Sequence, residues 1–319
     1  MPGTQYPVER YQPSAHLFDF HSWGFTSPPP DIGFGLMSND KMGLLDFHAS
    51  VQYNSNEGGA GFATGVSYNR FFPQLNFGFT DRNRHLQFAD HEENFAERTA
   101  SAGFRIPLNL SRGYYNTLVS FSANIQSIDL SGGGLVPLSY GFGFSRVRQS
   151  SARDLVPVWA QILRFTYRQT PVARPYTGNY LSADGRFALP GIIKHQSLVL
   201  EGGYERQHGT YYFSSQLPFP RGYTAFTGPN LSKFSSTYRA PLFYPDWALG
   251  QVLYLKRISG DAFYDYGKVA DRQFRSTGVE AVFDVNILHF PEALRVGVRY
   301  AYRLDYGNRR IQPFLAYRW

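Results

Sequence analysis

The fold this sequence predicts is all-β: a transmembrane antiparallel β-barrel of about sixteen strands whose sixth outer loop folds inward. Three observations carry that expectation. Stretch after stretch alternates strictly between apolar and polar residues, the period of a strand with two different faces. Aromatics make up 17% of the 319 residues, with 23 Tyr, 28 Phe and 31 Gly, yet mean hydropathy is only −0.34, so the apolar residues are spread out rather than run together. No apolar run approaches the roughly 20 residues of a spanning helix.

The clearest strand is 44–54. Leu45, Phe47, Ala49, Val51 and Tyr53 share one face, and Asp46, His48, Ser50, Gln52 and Asn54 share the other. The same reading places Phe62, Thr64, Val66 and Tyr68 opposite Gly61, Ala63, Gly65, Ser67 and Asn69. It places Val119, Phe121, Ala123 and Ile125 opposite Ser120, Ser122, Asn124 and Gln126, and it sets Trp159, Leu163, Phe165 and Tyr167 against Arg164, Thr166 and Arg168. Near the end, Val279, Ala281, Phe283, Val285 and Ile287 oppose Glu280, Asp284 and Asn286. Val296, Val298, Tyr300 and Tyr302 then oppose Arg295, Arg299 and Arg303. A water-soluble sandwich would carry a Lys-rich outer face. Here the polar face is small residues, amides and arginines, and the apolar face ends in aromatics, as in an apolar belt with aromatic girdles around a wet interior.

Loop lengths set the strand number. Short links fall at 40–43, 70–74, 192–195 and 289–293, and longer ones at 54–60, 82–94, 170–179 and 208–230. Short inner turns and long outer loops should alternate. They do so if the first strand is 15–25, followed by an outer Ser27-Pro28-Pro29-Pro30 loop; a first strand beginning at Ile32 would put the 208–230 loop on the inner side. The strands are then expected near 15–25, 31–39, 44–54, 60–70, 74–83, 95–109, 116–130, 135–150, 157–170, 178–190, 196–207, 231–242, 250–268, 274–288, 294–304 and 308–319. Residues 1–13 form a periplasmic lead-in and 14–319 the barrel.

Residues 217–269 hold three motifs: Pro218-Phe219-Pro220-Arg221-Gly222-Tyr223 in the long loop, Thr237-Tyr238-Arg239-Ala240-Pro241-Leu242, and Phe263-Tyr264-Asp265-Tyr266-Gly267-Lys268-Val269. A guanidinium matches a carboxylate bidentately, and a glycine lets the chain turn without a Cβ penalty. The order of these motifs resembles the membrane domain of the BamA/TamA (bacterial surface antigen, two-partner secretion) superfamily. The resemblance implies that the sixth outer loop folds back into the barrel, where the Arg of an RG(F/Y) motif meets an Asp on the thirteenth strand. On this sequence the loop clamp would be Arg221, Gly222, Tyr223, Asp265, Gly267 and Thr237. The chain departs from the family pattern at Pro220, where Val is usual, and at Thr237, where Glu is frequent. The family's periplasmic POTRA repeats are not among the elements expected of these residues. His16-Leu17-Phe18-Asp19-Phe20-His21-Ser22-Trp23 ahead of the barrel looks like the barrel end of longer propeller-containing relatives.

The last strand alternates Ile311, Leu315, Tyr317 and Trp319 outward and stops on an aromatic, resembling the C-terminal signal that barrel substrates show to the assembly machinery. Pro313 lacks an N–H and belongs at an edge or a weak seam. The first strand alternates poorly. Together Pro313, Leu315, Tyr317 and Trp319 are expected to mark a labile closing seam.

Other chemistry finds little support. The net charge of +7 comes from dispersed residues and not from compact Lys/Arg runs, so no nucleic-acid partner is expected. His16, Asp19 and His21 cannot converge on a metal, because strand geometry sends His16 to the opposite face. No Gly-x-Ser-x-Gly elbow occurs, and Gly132-Gly133-Gly134 is expected to be a turn. No enzyme activity and no cofactor are expected. Met1–Glu9 holds no apolar core of the roughly 7–15 residues a signal peptide requires, so the chain is expected to be mature, recombinant or one domain of something longer. The resemblance implies a bacterial outer-membrane location. Its implied partners are outer-membrane lipid and lipopolysaccharide, together with periplasmic or outer-membrane proteins. The implied role is protein insertion or translocation; the alternative is an anchoring barrel or occluded pore that holds a partner complex.

Overall fold

The computed structural model describes residues 12, 20–27, 30–151, 153–172, 175–250, 252–287 and 294–317. They form one antiparallel sheet of eighteen strands with no helix. In chain order these are β1 (Phe20–Ser27), β2 (Asp31–Asn39), β3 (Leu45–Asn54), β4 (Ala60–Tyr68), β5 (Gln74–Gln87), β6 (Glu92–Asn109), β7 (Tyr115–Leu130), β8 (Gly133–Leu135), β9 (Leu138–Arg148), β10 (Ala160–Gln169), β11 (Gly178–Pro190), β12 (Ser197–Gly209), β13 (Asn230–Phe243), β14 (Trp247–Leu249), β15 (Leu253–Val269), β16 (Arg272–Ile287), β17 (Leu294–Arg303) and β18 (Asn308–Tyr317).

Two of the eighteen are three-residue pieces. β8 pairs with β7 just beyond β9, and β14 pairs with β15 just beyond β13. Each continues its longer neighbour across an interruption, at Val136-Pro137 and at Tyr244-Pro245-Asp246, where proline withholds a ladder donor. Sixteen lanes remain, and each pairs with its neighbours in sequence. Among the described residues the ladder is continuous from β1 to β18, and no ladder joins β18 to β1.

Alternation decides which face turns out. Val51 and Tyr53 on β3, Phe77 and Phe79 on β5, and Val296, Val298, Tyr300 and Tyr302 on β17 are all exposed, while Ser50, Asn54, Arg84, Glu280 and Asp284 are buried on the other face. The outer wall is therefore apolar and aromatic and the interior polar. Buried apolar clusters lie inside the ring, under the loops: Ile128, Leu135, Tyr180, Tyr211 and Phe213 form one, and Leu217, Leu231, Val269 and Phe274 another.

Several expected boundaries are corrected. β1 runs two residues beyond the expected end at 25; its expected beginning at 15–19, His16 and Asp19 included, lies outside the described residues, as do Trp319 and all of the 1–13 lead-in but Gln12. The link expected over 82–94 is only residues 88–91, because Arg82 pairs with Glu97 across β5 and β6 and carries the ladder on to Gln87 and Glu92. Outward-facing Asp81 and Arg98, 3.1 Å apart, place the upper edge of the apolar belt just above Phe79. Gly133 and Gly134 belong to β8, so the expected turn is shorter than the triple glycine. The six-residue link expected between 150 and 157 is eleven residues, 149–159, because Leu155 and Val156 turn inward and bury against Ala160, Ala188 and Val199. β15 begins at Leu253, three residues late, after a turn at Gly250, whose φ is +56°.

Pro313 lies opposite Val298 on β18, which pairs with β17 on one side only among the described residues. Backbone amides of residues 311–317 are expected to exchange faster than those of 294–303 in native-state hydrogen exchange. Equal protection would remove the weak-seam reading.

Candidate functional site: the sixth outer loop and its acidic anchor

Counting links from β1, the segment between β12 and β13, residues 210–229, is the sixth on its side of the barrel, termed here the outer side. It does not stand away from the wall. Arg221 reaches Asp265 on β15 with three donors: its backbone N–H to Oδ2 at 2.9 Å, Nε to Oδ2 at 2.8 Å and Nη2 to Oδ1 at 2.7 Å. The guanidinium thus engages both carboxylate oxygens. The other donor contacts complete the site. Nη2 also donates to Ser235 Oγ at 3.1 Å and Thr237 Oγ1 at 2.9 Å, and Nη1 lies 3.5 Å from Glu280 Oε1. Ser235 Oγ donates to Asp265 Oδ1 at 2.5 Å. Below the guanidinium lies the Phe263 ring, its centroid 3.7 Å from Cζ. Asp265 is 1% exposed, so its charge depends on this partner.

Strand geometry explains why these side chains meet. Asp265, Phe263 and Gly267 lie two residues apart on β15 and share its inward face. Ser235 and Thr237 do the same on β13, which pairs with β15 so that Ser235 faces Asp265 and Thr237 faces Phe263. Thr237, one of the departures from the family pattern, takes part through its hydroxyl, which accepts from Arg221. Pro220 is likewise accommodated. It is fully buried, and a Cβ on Gly267 would stand 2.5 Å from Pro220 Cγ, so the glycine on β15 makes the seat for the proline.

Gly222 has φ +88°, and a Cβ there would also come within 2.9 Å of Ala301 Cβ on β17, which suits only glycine. Tyr223 then turns toward the outer rim, where its hydroxyl donates to Arg275 O at 2.8 Å and lies 3.0 Å from Asp305 Oδ2. Burial, followed by the nearby Asp305 carboxylate, pushes its pKa up to about 12. Its ring packs edge-on against Phe274, alongside Phe219 and Phe226.

A second anchor escaped the sequence reading. Arg84 on β5 is fully buried. It donates bidentately to Glu57, at 2.9 and 2.7 Å, and also to Glu97 at 3.1 Å, to the Tyr211 hydroxyl at 2.9 Å and to Tyr212 O at 2.8 Å. Tyr211 in turn donates to Glu97. The start of loop 6 and the second outer loop, which carries Glu57, are thereby bound to the β5–β6 wall. Burial works to raise the Glu57 pKa, but the Arg84 guanidinium outweighs it and holds the carboxyl below its ordinary range. Glu205 on β12 fixes the next stretch, accepting from Tyr180, Ser215 and the backbone N–H groups of Gln216 and Leu217. Asn56 exchanges bonds with Leu217 and Phe219. The inward-facing parity of Glu280 was readable from alternation, whereas Arg84 fell within the link expected over 82–94; the convergence of Arg84, Glu97 and Glu280 on loop 6 was not readable.

The clamp borders an interior cavity of about 710 Å3, lined also by Glu201, Lys233, Arg239, Arg295 and Arg299. Leu315 is exposed, in keeping with its outward position, and Phe314 faces inward under the Arg299 guanidinium, 4.9 Å away. The Tyr317 side chain lies outside what is described. His21 accepts from the Asn39 backbone N–H at 3.1 Å.

The fold has counterparts among solved structures. Over 93% of this chain and 69% of the other, the structure aligns with BamA from Haemophilus ducreyi lacking POTRA domains 1–3, at a TM-score of 0.57 and 9% identity. The fold is that of the BamA and CdiB barrels. CdiB from Escherichia coli aligns over 92% of this chain with a TM-score of 0.56 and 12% identity, and CdiB from Acinetobacter baumannii over 92% with 0.53 and 11%. The chain spans 61% and 58% of the lengths of those two CdiB chains. No protein-family model and no curated protein matches this BamA/CdiB-type barrel.

Replacing Arg221 by Ala leaves the buried Asp265 carboxylate without its cation, and a loss of about 3–5 kcal/mol is expected. Thr237→Val removes one neutral acceptor and should cost about 1 kcal/mol. Gly267→Val drives two methyls into the Pro220 seat and should cost about 1–3 kcal/mol while releasing the loop. Urea unfolding in detergent micelles, followed by tryptophan fluorescence, ranks the three. Equal midpoints for Arg221→Ala and Thr237→Val would contradict this account of the charge.

Proposed function

We propose that this chain is the membrane barrel of a bacterial outer-membrane machine that inserts or translocates other proteins, working with periplasmic protein partners and bathed by outer-membrane lipid and lipopolysaccharide. The observation that carries the reading is the Arg221–Asp265 clamp. An outer loop is held deep inside a barrel of the BamA and CdiB fold by a bidentate ion pair, two hydroxyls and an aromatic ring. Fastening a twenty-residue loop at such expense in chain entropy makes sense if its placement governs what the wall or lumen can accept. Arg221, Gly222, Tyr223, Thr237, Asp265 and Gly267 position the loop. Pro313, Leu315 and Tyr317 lie on β18, and together with Trp319 they would mark the closing seam against β1.

A second reading is favoured by one specific observation. Loop 6 enters the lumen from the outer side, while residues 153–158 pack and hydrogen-bond at its inner end. A barrel so narrowed could serve as an anchor or occluded pore that holds a partner complex at the membrane.

Arg221→Ala and Asp265→Ala, each introduced into the native gene, separate the two. Under the machine reading, each lowers the surface level or folding of other outer-membrane or secreted proteins while this barrel still assembles. Undisturbed client proteins, with the barrel present at normal abundance, would favour the anchor. Co-purification from native membranes would then identify what is held.

A further inference from the structure

The inner end of the barrel holds a feature that neither the clamp nor the fold comparison accounts for. The connection from β9 to β10 leaves the wall and turns under the lumen. Leu155 and Val156 bury beside Ala160, Ala188 and Val199, and Asp154 is 6% exposed although it lies on a link. The segment is then received by three inner-rim elements in succession. His195, in the β11–β12 turn, bonds Asp154 Oδ1 through Nδ1 at 2.8 Å. Tyr244, between β13 and β14, donates to Arg153 O at 3.2 Å. Arg257 on β15 donates through Nη1 to Arg153 O at 3.0 Å and Asp154 O at 3.3 Å, and its other face is paired with Asp284 on β16. A chain that starts between β9 and β10 is thus tied to β15 and β16, having passed under β11, β12 and β13.

Arg257 is spent on this strap. It is 1% exposed, and its donors go to one carboxylate and two consecutive backbone carbonyls. A link that merely joined two strands would need no such receiver, and a buried guanidinium without acceptors would be costly. The apolar part of the strap is small, two side chains in a shallow pocket, and Arg257 makes two polar ties to it where His195 and Tyr244 make one each. That is the arrangement of a part that can be released as a unit.

We propose that residues 153–158 form an inner lid, a strap latched across the inner end of the lumen by Arg257, and that disengaging Arg257 frees the strap while the wall and the loop-6 clamp stay in place. This inference does not rest on the identity of any client protein. The latch and the clamp hang on the same strand but are eight residues apart, roughly 26 Å along it, so one can open without the other.

The test uses the absence of native cysteine. Leu155→Cys, 6% exposed in the strap, reports lid opening, and Ser50→Cys, 2% exposed on the far wall at β3, reports general loosening. Each is placed alone in the full chain in detergent micelles and reacted with a charged methanethiosulfonate reagent. The latch is removed by Arg257→Met together with Asp284→Asn, which takes out both charges and leaves neither carboxylate nor guanidinium stranded. The proposal expects labelling of Leu155→Cys to rise about tenfold or more in the latch-less protein, as for an opening made easier by one latch, with Ser50→Cys unchanged. No rise at Leu155→Cys, or an equal rise at both sites, overturns it. If the double variant does not fold, Arg257→Lys keeps the charge and loses the planar fork; a smaller rise confined to Leu155→Cys is then expected, and none would equally overturn the lid.

Discussion

A carboxylate facing the inside of the barrel on β15 has to be neutralised, and the rest of the interior is arranged around that need. Asp265 is almost wholly removed from solvent. The cation that satisfies it comes from a loop forty-four residues earlier in the chain, not from a neighbouring strand. Once Arg221 is committed, its neighbours have little freedom. Gly222 must take a left-handed turn against Ala301, Pro220 must sit where Gly267 has no side chain, and Tyr223 must exit beside Phe274. That ion pair places the middle of the loop, while Arg84 and Glu205 hold its beginning.

The inward face of β15 is the common support. From the outer end inward it presents Val269 against Gly228, Gly267 against Pro220, Asp265 to Arg221, Asp261 to Arg239 and Arg295, and Arg257 to the inner strap. In the pairing with β16, Asp261 stands directly opposite Glu280, a like-charge juxtaposition that is unfavourable by itself. It is offset by the arginines that reach over it: Arg295 lies 3.5 Å from Asp261 and 3.6 Å from Asp284, and Arg299 lies 2.5 Å from Glu280. The alternating signs form a ladder from the clamp to the inner mouth. Such a ladder explains how the wall keeps these charges inside, since Asp261, Asp284 and Glu280 are each faced by a wall arginine and do not rely on bulk water.

Much of the wall was legible in the chain because a strand writes its faces every second residue. The outward sets on β3, β5 and β17 follow directly from that period, as does the inward set to which Glu280 and Asp284 belong. Where alternation was misread, polar pairing or packing had intervened. The β5–β6 hairpin outlasts its apolar stretch because Arg82 and Glu97 continue the ladder in charge, and β10 starts late because Leu155 and Val156 turn into the lumen. The clamp residues were legible only through their motif order. Ser235, Phe263 and Glu280, which complete the clamp, carry no local signal, because they lie on three strands and meet only through register.

By itself the sequence determined the class of fold, the sixteen lanes and, where alternation is strict, the side of the wall that a residue faces. Those properties depend on neighbours along the chain, where alternation and turn residues act. Tertiary structure alone decided that Arg84 would gather Glu57, Glu97 and Tyr211 beneath the outer loops, and that Arg257 would hold the backbone of a connection five lanes away. A buried guanidinium takes whatever acceptors the folded interior brings to it, and their identity is set by which lanes face one another across the lumen.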